Sequence, residues 1–195
     1  MEILVSGMMR FAMIAAALLS ASVALAQHSS PLVRTSSTQA TSSSVETTSA
    51  ECKYEAQPRI IAGQGWGQVR LGADLKTVDA VLGRGQATAG YEEVHFVDYA
   101  PKGIQISFEN ANNTVHAIFF YNRQRGMEKI GVFCGQTDRG INWQSSGEDV
   151  KKIHGQPAGE FSGTDSGGTW QRLAYAGIDF RFENGYLVRI GITGN

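Results

Sequence analysis

The chain has 195 residues, 17 Lys and Arg against 18 Asp and Glu, and a formal net charge of −1. That balance leaves no basic excess to suggest nucleic acid or an anionic lipid surface as the partner. Hydrophobic residues make up 42% and there are 23 glycines, which fits a turn-rich sheet protein.

The first segment, FAMIAAALLSASVALA (residues 11–26), is an apolar run preceded by Arg10 and closed by the small-x-small sequence Ala24-Leu25-Ala26. This is the layout of a secretory signal peptide cut after Ala26. Glu2 spoils the positive N-region, and a start at Met8 or Met9 would restore it. The run falls short of the ~20 apolar residues that span a bilayer, so no membrane span is expected after cleavage. Secretion or a periplasmic location is expected. Thirteen of residues 27–50 are Ser or Thr. Such a segment buries too little apolar surface to offset its chain entropy, and it reads as a disordered tether open to glycosylation.

Residues 51–195 are expected to form one folded domain. Cys52 and Cys134 are the only cysteines. In an exported chain they read as one disulfide, here stapling the N-terminal edge of the domain to the joint between its two halves.

Those halves are visible as near-repetition. GIQISFEN (103–110) and GIDFRFEN (177–184) share five of eight residues. A helix is expected within Gly72–Gly83, with Asp74 as N-cap, and a second within Gln144–Gly155, with Ser146 as N-cap and Asp149 at capping-box spacing. Gly83 and Gly155 stand where helices end, and Pro157 follows as a stop. Three strands are expected after each helix: Glu92–Tyr99, Gly103–Phe108 and Val115–Tyr121, then Thr169–Tyr175, Ile178–Phe182 and Leu187–Thr193. Ile104, Ile106 and Phe108 alternate with Gln105, Ser107 and Glu109, and Ile178, Phe180 and Phe182 alternate with Asp179, Arg181 and Glu183. This is the period of a strand with one packed and one solvated face. ENANN and ENG supply hairpin turns. The expected fold is α+β: two tandem repeats (about 59–125 and 136–195), each a helical element followed by a short antiparallel meander, with the helices packed on one sheet face.

The phrases around Gly72, Asp74, Val78, Leu82, Gly83 and Tyr99, and again around Ser146, Val150, Gly155, Tyr175, Gly177, Ile178, Phe180, Phe182 and Gly185, resemble the repeat of the β-lactamase-inhibitor-protein-like superfamily. That superfamily contains secreted tandem-repeat inhibitors and single-repeat outer-membrane assembly lipoproteins. The resemblance implies a sheet face that grips a partner protein. It carries over no contact residue, because the matching positions are helix, cap, turn and core. A lipoprotein would need a Cys near the cleavage site, which this chain lacks.

Catalytic signatures are missing. GQGWGQ (63–68) has Gln at the sixth position and no βαβ context, so it reads as a Gly-rich turn rather than a dinucleotide loop. His28, His95, His116 and His154 lack metal-ligand spacing. His154 closes a helix, where a partly cationic ring would suit the dipole. Glu93 and His95 form a conceivable acid–base pair, with a solvated strand as the plainer reading. No catalytic residue, cofactor or metal is therefore assigned.

The polar face of the second half carries Trp170, Arg172, Arg181, Glu183 and Arg189, with Phe96 at the corresponding place in the first half beside Val94 and Asp98. Trp and Arg dominate protein interfaces, so this face is the candidate binding surface. Trp66 and Trp143 precede the helices and are expected in core or rim packing. The expected function is non-covalent binding of another exported or envelope protein, inhibitor-like or envelope-associated. A structural surface protein on a spacer is the alternative, and an extracytoplasmic hydrolase stands behind both. The sequence sets neither the partner nor the oligomeric state.

Overall fold

The structure, a computed structural model, describes residues 52–122 and 130–194. The expected signal peptide and tether lie outside the described residues. A turn at Tyr54–Ala56 leads into a small antiparallel sheet of β1 (Ile60–Ile61), β2 (Gly65–Trp66) and β3 (Val69–Arg70). Helix α1 (Leu75–Leu82) is followed by β4 (Gln86–Thr88), β5 (Val94–Tyr99), β6 (Ile104–Glu109) and β7 (Val115–Tyr121). Helix α2 (Gly147–His154) is followed by β8 (Gly159–Asp165), β9 (Gly168–Tyr175), β10 (Ile178–Glu183) and β11 (Tyr186–Thr193). The eight strands β4 to β11 form one antiparallel sheet in the order β4-β5-β6-β7-β11-β10-β9-β8. The fold is mixed α+β and dominated by sheet.

Local chemistry explains both helices. The Asp74 carboxylate accepts the Thr77 amide at 2.7 Å. Ser146 and Asp149 form a full capping box: Ser146 Oγ accepts the Asp149 amide at 3.2 Å, and Asp149 Oδ2 accepts the Ser146 amide at 2.9 Å. Val78 and Val150 are the fully buried anchors of the two helices.

Each helix is followed by four strands, one more than expected. The additions are β4 and β8, the two edges of the sheet. Their residues are almost all exposed, so neither carries the apolar alternation that marks a half-buried strand. The small N-terminal sheet was also not expected. GQGWGQ folds as β2 with its flanking turns. Trp66 packs edge-on against Phe120 and Phe133 at centroid distances of 6.3 and 5.3 Å, and Trp143 is buried, its indole N–H donating to the Phe133 carbonyl. Both tryptophans thus serve the helix-side core.

That core holds the inward rows of the sheet. Ile104, Ile106 and Phe108 of β6 and Ile178, Phe180 and Phe182 of β10 are at most 2% exposed. At the centre, where β7 meets β11, Ile118, Phe120, Ile190 and Ile192 are fully buried. Burial of each such side chain stabilises the fold by about 1.5–3 kcal/mol.

The two near-identical phrases make matching contacts. Gly103 and Gly177 open them at φ of 67° and 72°. A Cβ at Gly103 would lie 2.3 Å from the Phe133 amide nitrogen, and one at Gly177 would lie 2.5 Å from the Gly63 amide nitrogen. Glycine is therefore required twice over, by backbone conformation and by close approach. At the far end the Asn110 amide donates to the Glu93 carbonyl at 2.9 Å, and the Asn184 amide to the Thr169 carbonyl at 2.8 Å. Asn184 and Gly185 both have positive φ between the paired residues Glu183 and Tyr186, the two-residue hairpin turn that Asn-Gly favours. Tyr99 donates to Asp79 of α1 at 2.8 Å, and Tyr175 donates to the Gly155 carbonyl after α2 at 3.1 Å.

A disulfide joins Cys52 to Cys134, 82 residues apart, with their Cα atoms at 4.9 Å. Among the described residues no helix is long and apolar enough to cross a membrane.

Candidate functional site

The strand register sorts every side chain of the large sheet onto one of two faces. α1, α2 and the small sheet lie over the face that carries the core. No described helix or strand lies over the opposite, open face. It carries all six residues singled out from the sequence: Phe96 from β5, Trp170 and Arg172 from β9, Arg181 and Glu183 from β10, and Arg189 from β11.

Arg172 pairs across the strands with Arg181, and Arg181 with Arg189. Three arginines therefore stand side by side on three adjacent strands, an arrangement that like-charge repulsion disfavours. Two carboxylates offset it. Asp179, only 4% exposed, accepts from Arg172 Nη2 at 3.3 Å on Oδ2 and from Arg189 Nη2 at 3.0 Å on Oδ1. Glu183 accepts from Arg181 Nε at 3.2 Å. Gly191 makes room for this arrangement, since a Cβ there would lie 2.6 Å from Asp179 Oδ2.

Aromatic rings flank the row. The Arg181 guanidinium lies 5.4 Å from the centroid of Trp170, and Arg189 lies 5.2 Å from that of Phe119. The Trp170 indole spreads over Gly163 of β8, where a Cβ would meet it at 2.9 Å. Such contacts hold a guanidinium by cation–π attraction while leaving donors free.

Toward β5 the polar surface continues. Tyr121, opposite Arg189, donates to Gln105 Oε1 at 3.0 Å, and Gln105 Nε2 donates to Asp98 Oδ1 at 2.8 Å. Burial pushes the Tyr121 hydroxyl up to about 12, with Arg189 acting against the shift and Asp98 and Asp179 adding to it. It stays a neutral donor. A belt of Asp98, Gln105, Tyr121, Arg189, Asp179 and Arg172 thus crosses six strands. It is suited to fixing charge and orientation, and it contains no nucleophile paired with a base.

Phe96 lies on this face but away from the arginines, its ring packed edge-on against Tyr91 at 6.0 Å. The sequence put Asp179, Gln105 and Asp98 on the solvated face without marking them as part of a site. It did not mark Phe119 or Tyr121 at all. His116 is an extra residue in β7, opposite the Ser107/Phe108 step of β6, and this bulge breaks the period-two pattern that would have exposed Phe119 and Tyr121. Val188 is the matching extra residue in β11.

The conceivable pair Glu93 and His95 does not meet as acid and base. Glu93 precedes β5, while the His95 ring stacks on Phe108 at 5.5 Å and its Nδ1 lies 2.8 Å from Asn110 Oδ1. His154 also differs from expectation. Its ring turns inward between Tyr175 and Phe180, at 5.1 and 5.3 Å, and burial, reinforced by Arg139, lowers its pKa from the ordinary value. It is held neutral rather than cationic because desolvation outweighs the pull of the helix terminus.

No family model and no curated protein matches the chain. A DUF4309 family protein (YjgB) from Bacillus subtilis subsp. subtilis str. 168 is similar in structure over 68% of this chain and 88% of its own, with 10% sequence identity and a TM-score of 0.43. So distant a likeness assigns neither a family nor a function.

Proposed function

We propose that this is an exported binding module, built of two tandem repeats, that uses the open sheet face to hold a carboxylate-rich surface of another exported or envelope protein without covalent chemistry. One observation carries the reading: three arginines in direct cross-strand register, balanced in part by Asp179 and Glu183 and flanked by Trp170 and Phe119. The row sets three guanidinium groups against two carboxylates, one positive charge more than its own ion pairs balance. A recognition face gains forked donors whose rotamers are already ordered, which lowers the entropy lost on binding. The tandem-repeat part of the proposal is supported by the matching contacts of the two GI-x-x-x-FEN phrases and by the resemblance of those phrases to the β-lactamase-inhibitor-protein-like repeat. That resemblance leaves the role open between inhibitor and envelope component.

The test is affinity capture from envelope and secreted fractions with the native protein as bait, beside the Trp170→Ala/Arg172→Ala double variant. One acidic protein held in stoichiometric amount by the native form, and reduced at least tenfold with a variant whose far-UV circular dichroism shows it folded, is the expected result. Equal capture by both baits would sink the proposal.

A further inference from the structure

The two edges of the large sheet are unlike. β4 is three residues long, whereas β8 runs for seven, Gly159–Asp165, without Pro or a bulge, and its one mid-strand charge, Glu160, is held by Lys151 and Gln171. Natural edge strands are usually blunted by one of those devices. The Thr169 carbonyl accepts the Asn184 amide, so Thr169 and its alternate residues turn their backbone toward β10. Trp170, Arg172 and Ala174 then face β8 and engage their register partners Gly163, Phe161 and Gly159. The backbone amides and carbonyls of Glu160, Ser162 and Thr164 are left projecting from the edge. Among the described residues no strand pairs with them. Phe161, between two glycines of the same face, is 53% exposed.

We propose that β8 is a homodimer edge, pairing antiparallel with β8 of a second copy about a two-fold axis at Ser162. The sequence GEFSGTD is complementary to itself in that register. Ser162 meets Ser162, Glu160 meets Thr164, Phe161 meets Gly163, and Gly159 meets Asp165, so neither carboxylate faces its own kind and all three projecting amides on each copy find acceptors. Phe161 and Gly163 form the non-hydrogen-bonded pair, the closer of the two pair types. Gly163 is already covered by the Trp170 indole, so the Phe161 ring of the second copy would rest against that indole, an aromatic cross-strand contact. A register with Phe161 opposite itself also brings projecting amides face to face, but it sets Thr164 against Ala158, outside β8, so fewer residues of the strand find partners within it. The dimer would join two eight-stranded sheets into one and set the two arginine rows on a common face. The inference stands whether or not that face binds a protein.

Sedimentation equilibrium of the native protein tests it. The expected mass is twice that of the chain, falling toward one on dilution. Ser162→Pro removes a projecting amide without touching the bonds to β9, since proline is tolerated on an edge where the N–H faces solvent. It should leave the far-UV spectrum intact and give a single-chain mass. Ser162→Cys should form an intermolecular disulfide on oxidation, and Thr164→Cys should not, because only residue 162 meets itself. A single-chain mass for the native protein at the highest attainable concentration, a dimer that survives Ser162→Pro, or equal crosslinking through residues 162 and 164 would each overturn the proposal.

Discussion

Asp179 shows how much one side chain can organise. It is almost fully buried on a face that its strand pattern marks as solvated, because Arg172 and Arg189 close over it. Removing one partner of such a group leaves a buried charge uncompensated, which commonly costs about 3–5 kcal/mol. His154 illustrates burial without compensation. Its Nε2 is buried and has no partner among the described residues, while Arg139, Asp138 and Tyr175 surround the ring. Because its folded pKa lies below the unfolded value of 6.5, the unfolded chain binds the proton more readily. Its contribution to stability is therefore full above 6.5 and is lost as pH falls toward the folded pKa. Urea titrations on either side of that value should show the native protein losing stability toward acid, and His154→Phe should lose less. Parallel pH profiles for the two would refute this role.

The elements differ in how openly their sequences declare them. α1, α2, β6 and β10 were legible because their signals are local: a cap, a terminating glycine, an apolar residue at every second position. The capping box at Ser146 and Asp149 is the clearest case. Ser146→Ala should lower stability by about 1 kcal/mol, as losing an N-cap side chain does, with guanidinium denaturation as the measurement. An unchanged midpoint would mean that packing alone holds α2. The edge strands β4 and β8 were not legible. They form because neighbouring strands offer them backbone partners, and their own side chains bury little.

For the whole molecule the decisive event is the pairing of β7 with β11, residues 117–121 against 189–193, which makes one sheet from the strands of both halves. The Cys52–Cys134 disulfide adds a second long-range tie, from the segment before β1 to the one before α2. Closing a loop of 82 residues removes unfolded-state entropy worth about 4 kcal/mol in the chain-entropy model. The Cys52→Ala/Cys134→Ala variant should accordingly unfold at a markedly lower temperature in a thermal melt. A native melting point would show that the strands and helices hold the N-terminal segment unaided.

The sequence by itself determined the helices and their caps, the alternating central strands, the Asn-Gly hairpin, the disulfide partners and the face on which Trp170 and the three arginines lie. These depend on neighbouring residues or, for the cysteines, on a choice of one pair. Only the tertiary structure decided that the strands of both halves share one sheet, that Arg172, Arg181 and Arg189 stand in line, and that Tyr121, Phe119 and Asp98 join them. Strand order and register bring together residues that lie far apart in the chain. Two bulges then shift that register by one residue, a backbone event with no side-chain signature.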